Sequence, residues 1–446
     1  MKFIKQLKAL MLKGNFFRNV SILVSGTAIS LIVIVLTTPL LTRLYTPEEF
    51  GGYSIYVSIL YTTSVMASLL YESAIPLPRD EDDAVNLLSL SLIIVSGMSV
   101  LCLMGVWLFR HSVASIVNIP HLEEYLWLLP LSLFGFGIFQ VLNTWLIRRE
   151  AYPFMAKGKV FMNMSQVFSQ IGLGLLQFGP VGLVMGEVVG RVVGSGTVLR
   201  LSFESIKARF HTITLKKMRD LANRYKYFPL ISSWSSILSV ASGHLPVFFI
   251  AASFGSKAAG LYMLGQRVLS IPDALIGFSV KQVYFASATK QIRSTTTPLN
   301  TLFWQMVWKL SGISFLVICI IVLAAPWTFG HVFGESWIES GTYIQVMAIL
   351  FFFQMVVNPI TANFFVFEAQ NLQLIGEIIR FGLLLLAVLV STHSQFSSIQ
   401  SLLCLSVLGS AGYLVVAFLA WYAMRTKGVK QDQFECEIGV EASEAK

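Results

Sequence analysis

The chain has 446 residues, 55% of them hydrophobic and only 12% charged, with a net charge of +9 and a mean hydropathy of +0.71. A soluble chain of this length would need far more charge to cover its surface, so a water-soluble globular enzyme is excluded. The basic residues flank apolar stretches rather than interleaving with an aromatic platform, which indicates a rim facing anionic lipid and no nucleic-acid partner.

Twelve apolar stretches follow one another, at roughly 17–40, 50–71, 84–108, 122–145, 154–177, 181–203, 227–252, 258–281, 300–325, 341–366, 371–392 and 398–423. Each approaches or exceeds the about 20 residues that cross a hydrocarbon core. The spacing therefore predicts an all-α integral membrane protein of twelve transmembrane helices. The N-terminal tail carries Lys2, Lys5, Lys8, Lys13 and Arg18. The first apolar run after it is too long, and lacks the small-residue site, for a cleaved signal peptide. Pro272 interrupts the eighth span and Asn358-Pro359 the tenth, because proline removes a backbone hydrogen bond and kinks a helix. In a twelve-span arrangement 25 of the 32 basic residues fall on the side of the termini. The positive-inside rule then puts both termini in the cytoplasm. One loop runs against this: Arg79-Asp80-Glu81-Asp82-Asp83 is acidic and falls on the same side.

The second half repeats the first. Phe50-Gly51-Gly52-Tyr53 and Ala259-Gly260-Leu261-Tyr262 stand 209 residues apart, Trp107-Leu108-Phe109 and Trp327-Thr328-Phe329 220, and Glu150-Ala151 and Glu368-Ala369 218. Six spans per half is an even number, so both halves enter the membrane the same way round. That predicts two six-helix lobes related by a pseudo-twofold axis along the membrane normal, with a cleft between them. The lobes are 1–203 and 226–427, joined by a cytoplasmic linker at 204–225 that reads as an amphipathic helix on the membrane surface. A polar tail at 428–446 reads as disordered.

Charges inside spans mark candidate sites, since each is unfavourable by about 2.5–3.5 kcal/mol at mid-helix on insertion scales. Glu187 and Arg191 stand one turn apart on span six, and Glu377 and Arg380 on span eleven, so each set can form a local ion pair. Asp273 lies on span eight with Arg267. These two are six residues apart and point to different faces, which leaves Arg267 without a partner on its own helix. Lys309 on span nine is in the same position, unless it snorkels to the surface. Spans one and seven each carry a polar stripe at helical spacing, Asn19, Gly26, Ser30 and Thr37 in one, Ser232, Ser236, Ser239, Gly243 and Pro246 in the other. These stripes either line a wet cavity or pack helices through small residues. Gly182, Gly186, Gly190 and Gly194 on span six form a groove for a close neighbour helix.

No Walker loop, metal-binding histidine pair or nucleophile elbow is present, and Cys102, Cys319, Cys404 and Cys436 have no metal or disulfide spacing. No cofactor and no enzymatic activity are therefore expected.

The loop motifs carry a resemblance. Arg43-Leu44-Tyr45-Thr46-Pro47-Glu48-Glu49-Phe50-Gly51 is similar to the first external loop of bacterial polysaccharide flippases of the Wzx type. These belong to the multidrug/oligosaccharidyl-lipid/polysaccharide exporter superfamily. Gly260-Leu261-Tyr262 through Arg267, with Pro272 after it, resembles their seventh-to-eighth span signature, and Phe333-Gly334-Glu335-Ser336-Trp337 their loop before span ten. The resemblance implies two six-helix lobes, no catalytic residue, and a cavity-side position for Arg267. It also implies alternating-access transport of an undecaprenyl-pyrophosphate-linked oligosaccharide for O-antigen, capsule or exopolysaccharide assembly, beside a polysaccharide polymerase and glycosyltransferases of the same pathway. The physics suits such a cargo. Sugar hydroxyls and phosphates need replacements for water, which Ser, Thr, Asn and Arg supply. The prenyl tail can stay in lipid. A cation-coupled multidrug exporter on the same fold is the alternative. An intramembrane enzyme of the same pathway would need large outer loops that this chain lacks.

Overall fold

The computed structural model describes residues 15–119, 121–277, 280–281, 284, 299–367 and 369–444. Glu368 of the third repeat motif lies outside them. The chain forms two compact units, 1–263 with 330–337, and 264–329 with 338–446.

The first unit opens with α1 (Asn15–Leu44) and α2 (Pro47–Ser64). Thr46 and Glu49 form a reciprocal capping box between them. The Thr46 hydroxyl accepts from the Glu49 N–H (3.3 Å), and the Glu49 carboxylate accepts from the Thr46 N–H (2.7 Å). Pro47 stands at the first helical position, where its missing N–H leaves nothing unpaired. The motif is thus a helix start. Turns and a 3-10 segment (Tyr71–Ala74) lead to α3 (Glu81–Ile116), whose N-cap is Asp80 and whose first turn carries Glu81, Asp82 and Asp83 against the helix dipole. There follow α4 (Leu122–Leu126), α5 (Leu129–Arg148), α6 (Tyr152–Leu175), α7 (Pro180–Lys207), the short α8 (Leu215–Arg224) and the first half of α9 (Ser233–Pro272). A break at Gly255 divides α9; its φ of 83° is one that only glycine adopts without strain. It falls between the expected ends of spans seven and eight.

The second unit holds the rest of α9, a π-helical turn at Asp273–Gly277 directly after Pro272, α10 (Leu299–Thr328), α11 (Ile338–Ile360), the single turn α12 (Asn363–Val366), α13 (Gln370–His393) and α14 (Ser398–Glu444). The tenth span ends one residue after Pro359 and resumes as α12. The backbone of α14 stays helical through the segment expected to be disordered, which is rich in helix-forming Glu, Ala, Gln and Lys.

The described residues of the twelve expected spans are mainly helical, and no strand occurs among the described residues. Eight helices there are long and apolar enough to cross a membrane, α9 covering two expected spans. The helices α2 and α6 fall below that measure because they carry the polar side chains described below. The halves repeat one neighbour pattern. The helix α3 packs on α5, α5 on α7 and α6 on α7. Correspondingly α10 packs on α11, α11 on α14 and α13 on α14. Outward apolar residues such as Leu101, Trp107 and Phe109 on α3, or Phe315 and Leu323 on α10, are exposed and suited to lipid.

The glycine row of α7 is a packing seam. A Cβ at Gly186, Gly190 or Gly194 would lie within 2.7 Å of Gln170, Gln166 or Met162 of α6. The linker is amphipathic: Met218 and Leu221 are buried in the protein, while Phe210 and Leu215 are exposed. Asn86 of α3 fixes the approach to α8. Its amide donates to the Thr212 carbonyl (3.0 Å) and accepts from the Thr214 N–H (2.9 Å).

Candidate functional site

Each unit buries charge among its spans. In the first unit the carboxylate of Glu187 on α7 is fully engaged. Arg191, one turn on, donates to its Oε1 from Nε (2.8 Å) and Nη2 (2.6 Å). Its Oε2 accepts from the Tyr53 hydroxyl of α2 (2.8 Å) and from Gln166 Nε2 of α6 (2.6 Å). Arg191 Nη2 also donates to the Tyr61 hydroxyl (3.0 Å), and its guanidinium lies over Phe136 of α5 (4.7 Å). Tyr61 stacks on His244 of α9, with ring centroids 5.7 Å apart and planes 10° apart. His244 Nδ1 is 3.1 Å from Ser58 Oγ. That hydroxyl already donates to the Ser54 carbonyl (2.7 Å), so the imidazole N–H is the donor to it. A serine whose proton is committed to backbone is not a nucleophile held ready by a base. The network holds charge and couples α2, α5, α6, α7 and α9.

A second acid lies near the end of α5. Glu72 is 2% exposed, accepts from Gln140 Nε2 (2.6 Å), and is hydrogen-bonded by Ser68.

In the second unit Asp273 accepts from Asn358 Nδ2 (3.0 Å) and Gln354 Nε2 (3.4 Å) of α11, with Lys281 in electrostatic reach. Gln140 and Asn358 stand 218 residues apart, the offset of the third repeat motif, and each serves a buried carboxylate. Glu377 and Arg380 pair on α13 (2.9 Å), and the guanidinium lies over Tyr413 of α14 (5.0 Å).

Both expected local ion pairs are therefore formed and buried. Arg267 is half-buried on the second half of α9 and Lys309 is exposed on α10. Both make interactions with neighbours. Ser236 and Ser239 are half-buried. Ser30 is buried one turn from Gly26, where a Cβ would meet Ala156 at 2.5 Å, so this part of the α1 stripe is a seam against α6. The side chain of Asn19 lies outside the described residues. Sequence reasoning missed Glu72, Tyr61 and His244. A histidine beside the serine stripe of span seven was the available signal for the last.

The first and third loop motifs, and the Gly260-Leu261-Tyr262 start of the second, lie in the first unit. Phe50 packs edge-on against Trp337 (5.0 Å), whose indole N–H donates to the Thr42 carbonyl (2.9 Å). A Cβ on Gly51 would lie 1.8 Å from the Ser256 carbonyl oxygen, and one on Gly260 1.8 Å from that of Pro47. Gly51 and Gly260 are 209 residues apart, as are Pro47 and Ser256, so the crossing is reciprocal.

No cluster of potential metal ligands occurs among the described residues. The family model for polysaccharide biosynthesis proteins matches residues 40–342. Teichuronic acid biosynthesis protein TuaB of Bacillus subtilis (strain 168) is 22% identical over 47% of the chain and 44% of its own length. Succinoglycan biosynthesis transport protein ExoT of Rhizobium meliloti (strain 1021) is 23% identical over 70% of the chain and 61% of its own length. The chain thus spans less than two-thirds of either relative. Among solved structures, the lipid II flippase MurJ in an inward closed conformation superposes with a TM-score of 0.67 at 12% identity, covering 92% of this chain and 88% of that one. An inward-facing multidrug resistance MATE family transporter of the MOP superfamily gives 0.62 at 15% identity over 92% and 95%. These likenesses establish the two-lobe, twelve-helix fold. The match runs from the first loop motif, through the Glu187–Arg191 network, to the last, and the chain belongs to the polysaccharide biosynthesis protein family.

Proposed function

We propose that the chain is a flippase that carries a lipid-linked oligosaccharide across the bacterial cytoplasmic membrane by alternating access. Undecaprenyl pyrophosphate is the carrier we favour, and cytoplasmic termini the orientation. The observation that carries this reading is the kind of polarity buried in the spans. It consists of hydroxyls and carboxamides, with carboxylates held by arginine or amide donors. Such groups replace water around sugar hydroxyls, and an arginine or lysine balances a phosphate. Arg267 and Lys309 are the cations we assign to the phosphates, with Ser236 and Ser239 among the sugar-facing hydroxyls. A drug exporter for cations would need buried carboxylates able to take up a cation; Glu187 and Glu377 are each occupied by an arginine, which leaves Asp273 and Glu72, held by amide and hydroxyl donors, as the acids for that alternative.

The test is a deletion strain. It should lose surface polysaccharide and accumulate lipid-linked repeat units on the inner leaflet, measured by lipid extraction and leaflet-selective labelling. Loss of polysaccharide without accumulation would reject the transport step, and a changed drug tolerance in its place would favour the exporter.

A further inference from the structure

The linker between spans six and seven has a side turned to protein and an open side. On the first, the Trp145 indole N–H donates to Ser205 Oγ (3.0 Å), and the Tyr71 hydroxyl donates to the Ala222 carbonyl (3.1 Å). Arg209 and Lys217 meet the Asp82 carboxylate there (2.8 and 4.0 Å), and Met218 and Leu221 are buried. Residues 205–222 are thus clasped to the first unit. The open side carries Phe210 and Leu215, 52% and 80% exposed. It also carries four exposed cations, Arg200, Lys207, Lys216 and Arg219, against the two exposed acids Glu204 and Asp220. None of these four belongs to the ion pairs of Glu81 or Asp82.

The open side prolongs the outer face of α7. Val192, Gly196, Leu199 and Phe203 are exposed, and Lys207 follows them at the last helical residue. At about 100° per residue, all five lie within about 60° of the side directly opposite Glu187, the acid that α7 turns inward to α2. At about 1.5 Å per residue the helix is about 42 Å long, whereas a hydrocarbon core is about 30 Å thick. The turns that carry Phe203 and Lys207 therefore reach the headgroup level, and Phe210 and Leu215 come directly after them.

We propose that this open side is a foot on the bilayer that selects anionic phospholipid in the leaflet on the side of the termini. Phe210 and Leu215 enter between headgroups, and the four cations meet the phosphates. The charge of the patch would also suit an acidic segment of a partner protein. A lipid is the occupant because the patch continues, without a break, a stripe that already faces lipid. The clasp gives the foot its use: protein holds one side of the linker and lipid the other, so anionic lipid steadies the connection from α7 to α9. The proposal goes beyond the flippase reading and does not need it, since no cargo takes part.

The experiment uses the full-length chain with Cys102, Cys319, Cys404 and Cys436 replaced by serine. Leu215→Cys carries a bimane fluorophore, and the protein sits in phosphatidylcholine nanodiscs into which brominated phosphatidylglycerol is titrated. Quenching should reach half its maximum at a far smaller fraction of brominated phosphatidylglycerol than of brominated phosphatidylcholine. The difference should close at about 0.5 M salt, where exposed charges are screened. Lys216→Gln or Arg219→Gln should raise the half-maximal phosphatidylglycerol fraction about fivefold each. Lys207→Gln serves if one of these does not fold. The same label at Leu101→Cys, on the lipid face of α3, should show no preference between the two lipids. Equal quenching by both lipids at Leu215→Cys would overturn the proposal, because the linker would then touch lipid without selecting it. Quenching by aqueous iodide alone would overturn it in favour of an open, water-facing surface. Protection from lipid and iodide alike would overturn it in favour of a covering protein, such as an acidic partner. The deletion strain reads transport separately, and neither of its outcomes alters the quenching result.

Discussion

Glu187 and Arg191 are 2% and 6% exposed, and every strong acceptor of the carboxylate is used. In an apolar body such a pair contributes little net stability, but removing one member leaves a charge with neither water nor partner. Glu187→Ala should therefore destabilise the protein by about 3–5 kcal/mol. Glu187→Leu combined with Arg191→Met should recover most of that, as read by thermal unfolding in detergent. A single variant as stable as the double would show that the pair is not buried as described. The one-turn spacing of both pairs was legible in the sequence. Their surroundings were not, because Tyr53, Tyr61, Gln166 and His244 arrive from three other helices, at separations no local pattern encodes. Nor could the repeat reveal that the pair changes helix between the halves, from α7 in the first to α13, the counterpart of α6, in the second. Small residues accommodate both arginines: a Cβ on Gly135 would sit 3.0 Å from the Arg191 Cβ, and one on Gly412 2.6 Å from the Arg380 Cγ.

At the scale of elements, the clearest outcome concerns the loop motifs. The capping box at Thr46 and Glu49 fixes where α2 begins, Phe50 and Trp337 fix what its first turn touches, and Gly51 and Gly260 let backbone meet backbone. These motifs mark the family because they build a helix crossing, which is also why they say little about cargo. Gly51→Ala or Gly260→Ala places a methyl group inside van der Waals contact with a carbonyl, and the backbone has to shift. Each should lower stability by about 1–3 kcal/mol, whereas Gly97→Ala and Gly105→Ala on α3, with nothing within 4 Å, should be neutral or stabilising. The same thermal measurement decides, and equal behaviour of the two sets would contradict the crossing. The acidic loop that opposed the charge rule also finds its reason here. Glu81 pairs with Arg148 and Arg149 (both 3.4 Å), and Asp82 with Arg209 (2.8 Å) and Lys217 (4.0 Å). The acids at the start of α3 hold the basic residues of α5 and of the linker, so their negative charge is spent inside the protein surface. Side-chain pairing of this kind is invisible to a count of charges per loop.

For the whole molecule, span number and repeat were legible because hydropathy and helix length are imposed by the bilayer itself. The repeated order of helix neighbours follows from the same six-span unit packed twice. Which polar side chains face substrate depends on tertiary placement; for the α1 stripe the sequence left cavity lining and helix packing both open, and Gly26 seats against Ala156 of α6. The transport reading makes its own demand on Arg267. Arg267→Ala should abolish surface polysaccharide while the protein remains in the membrane, checked by immunoblot of membranes and staining of polysaccharide. Normal polysaccharide in that variant would remove Arg267 from the cargo path.

The glycine crossing has the form that a symmetric dimer interface takes, where one patch meets its own copy and each residue's contact is returned by its twin. Here both copies are written into a single polypeptide. In a dimer of identical half-length chains, one mutation would strike both sides of such a junction at once. In this chain Pro47 and Ser256 already differ although they occupy matching places. Each side can thus change alone, and only the hydrogen of the two glycines is required of both.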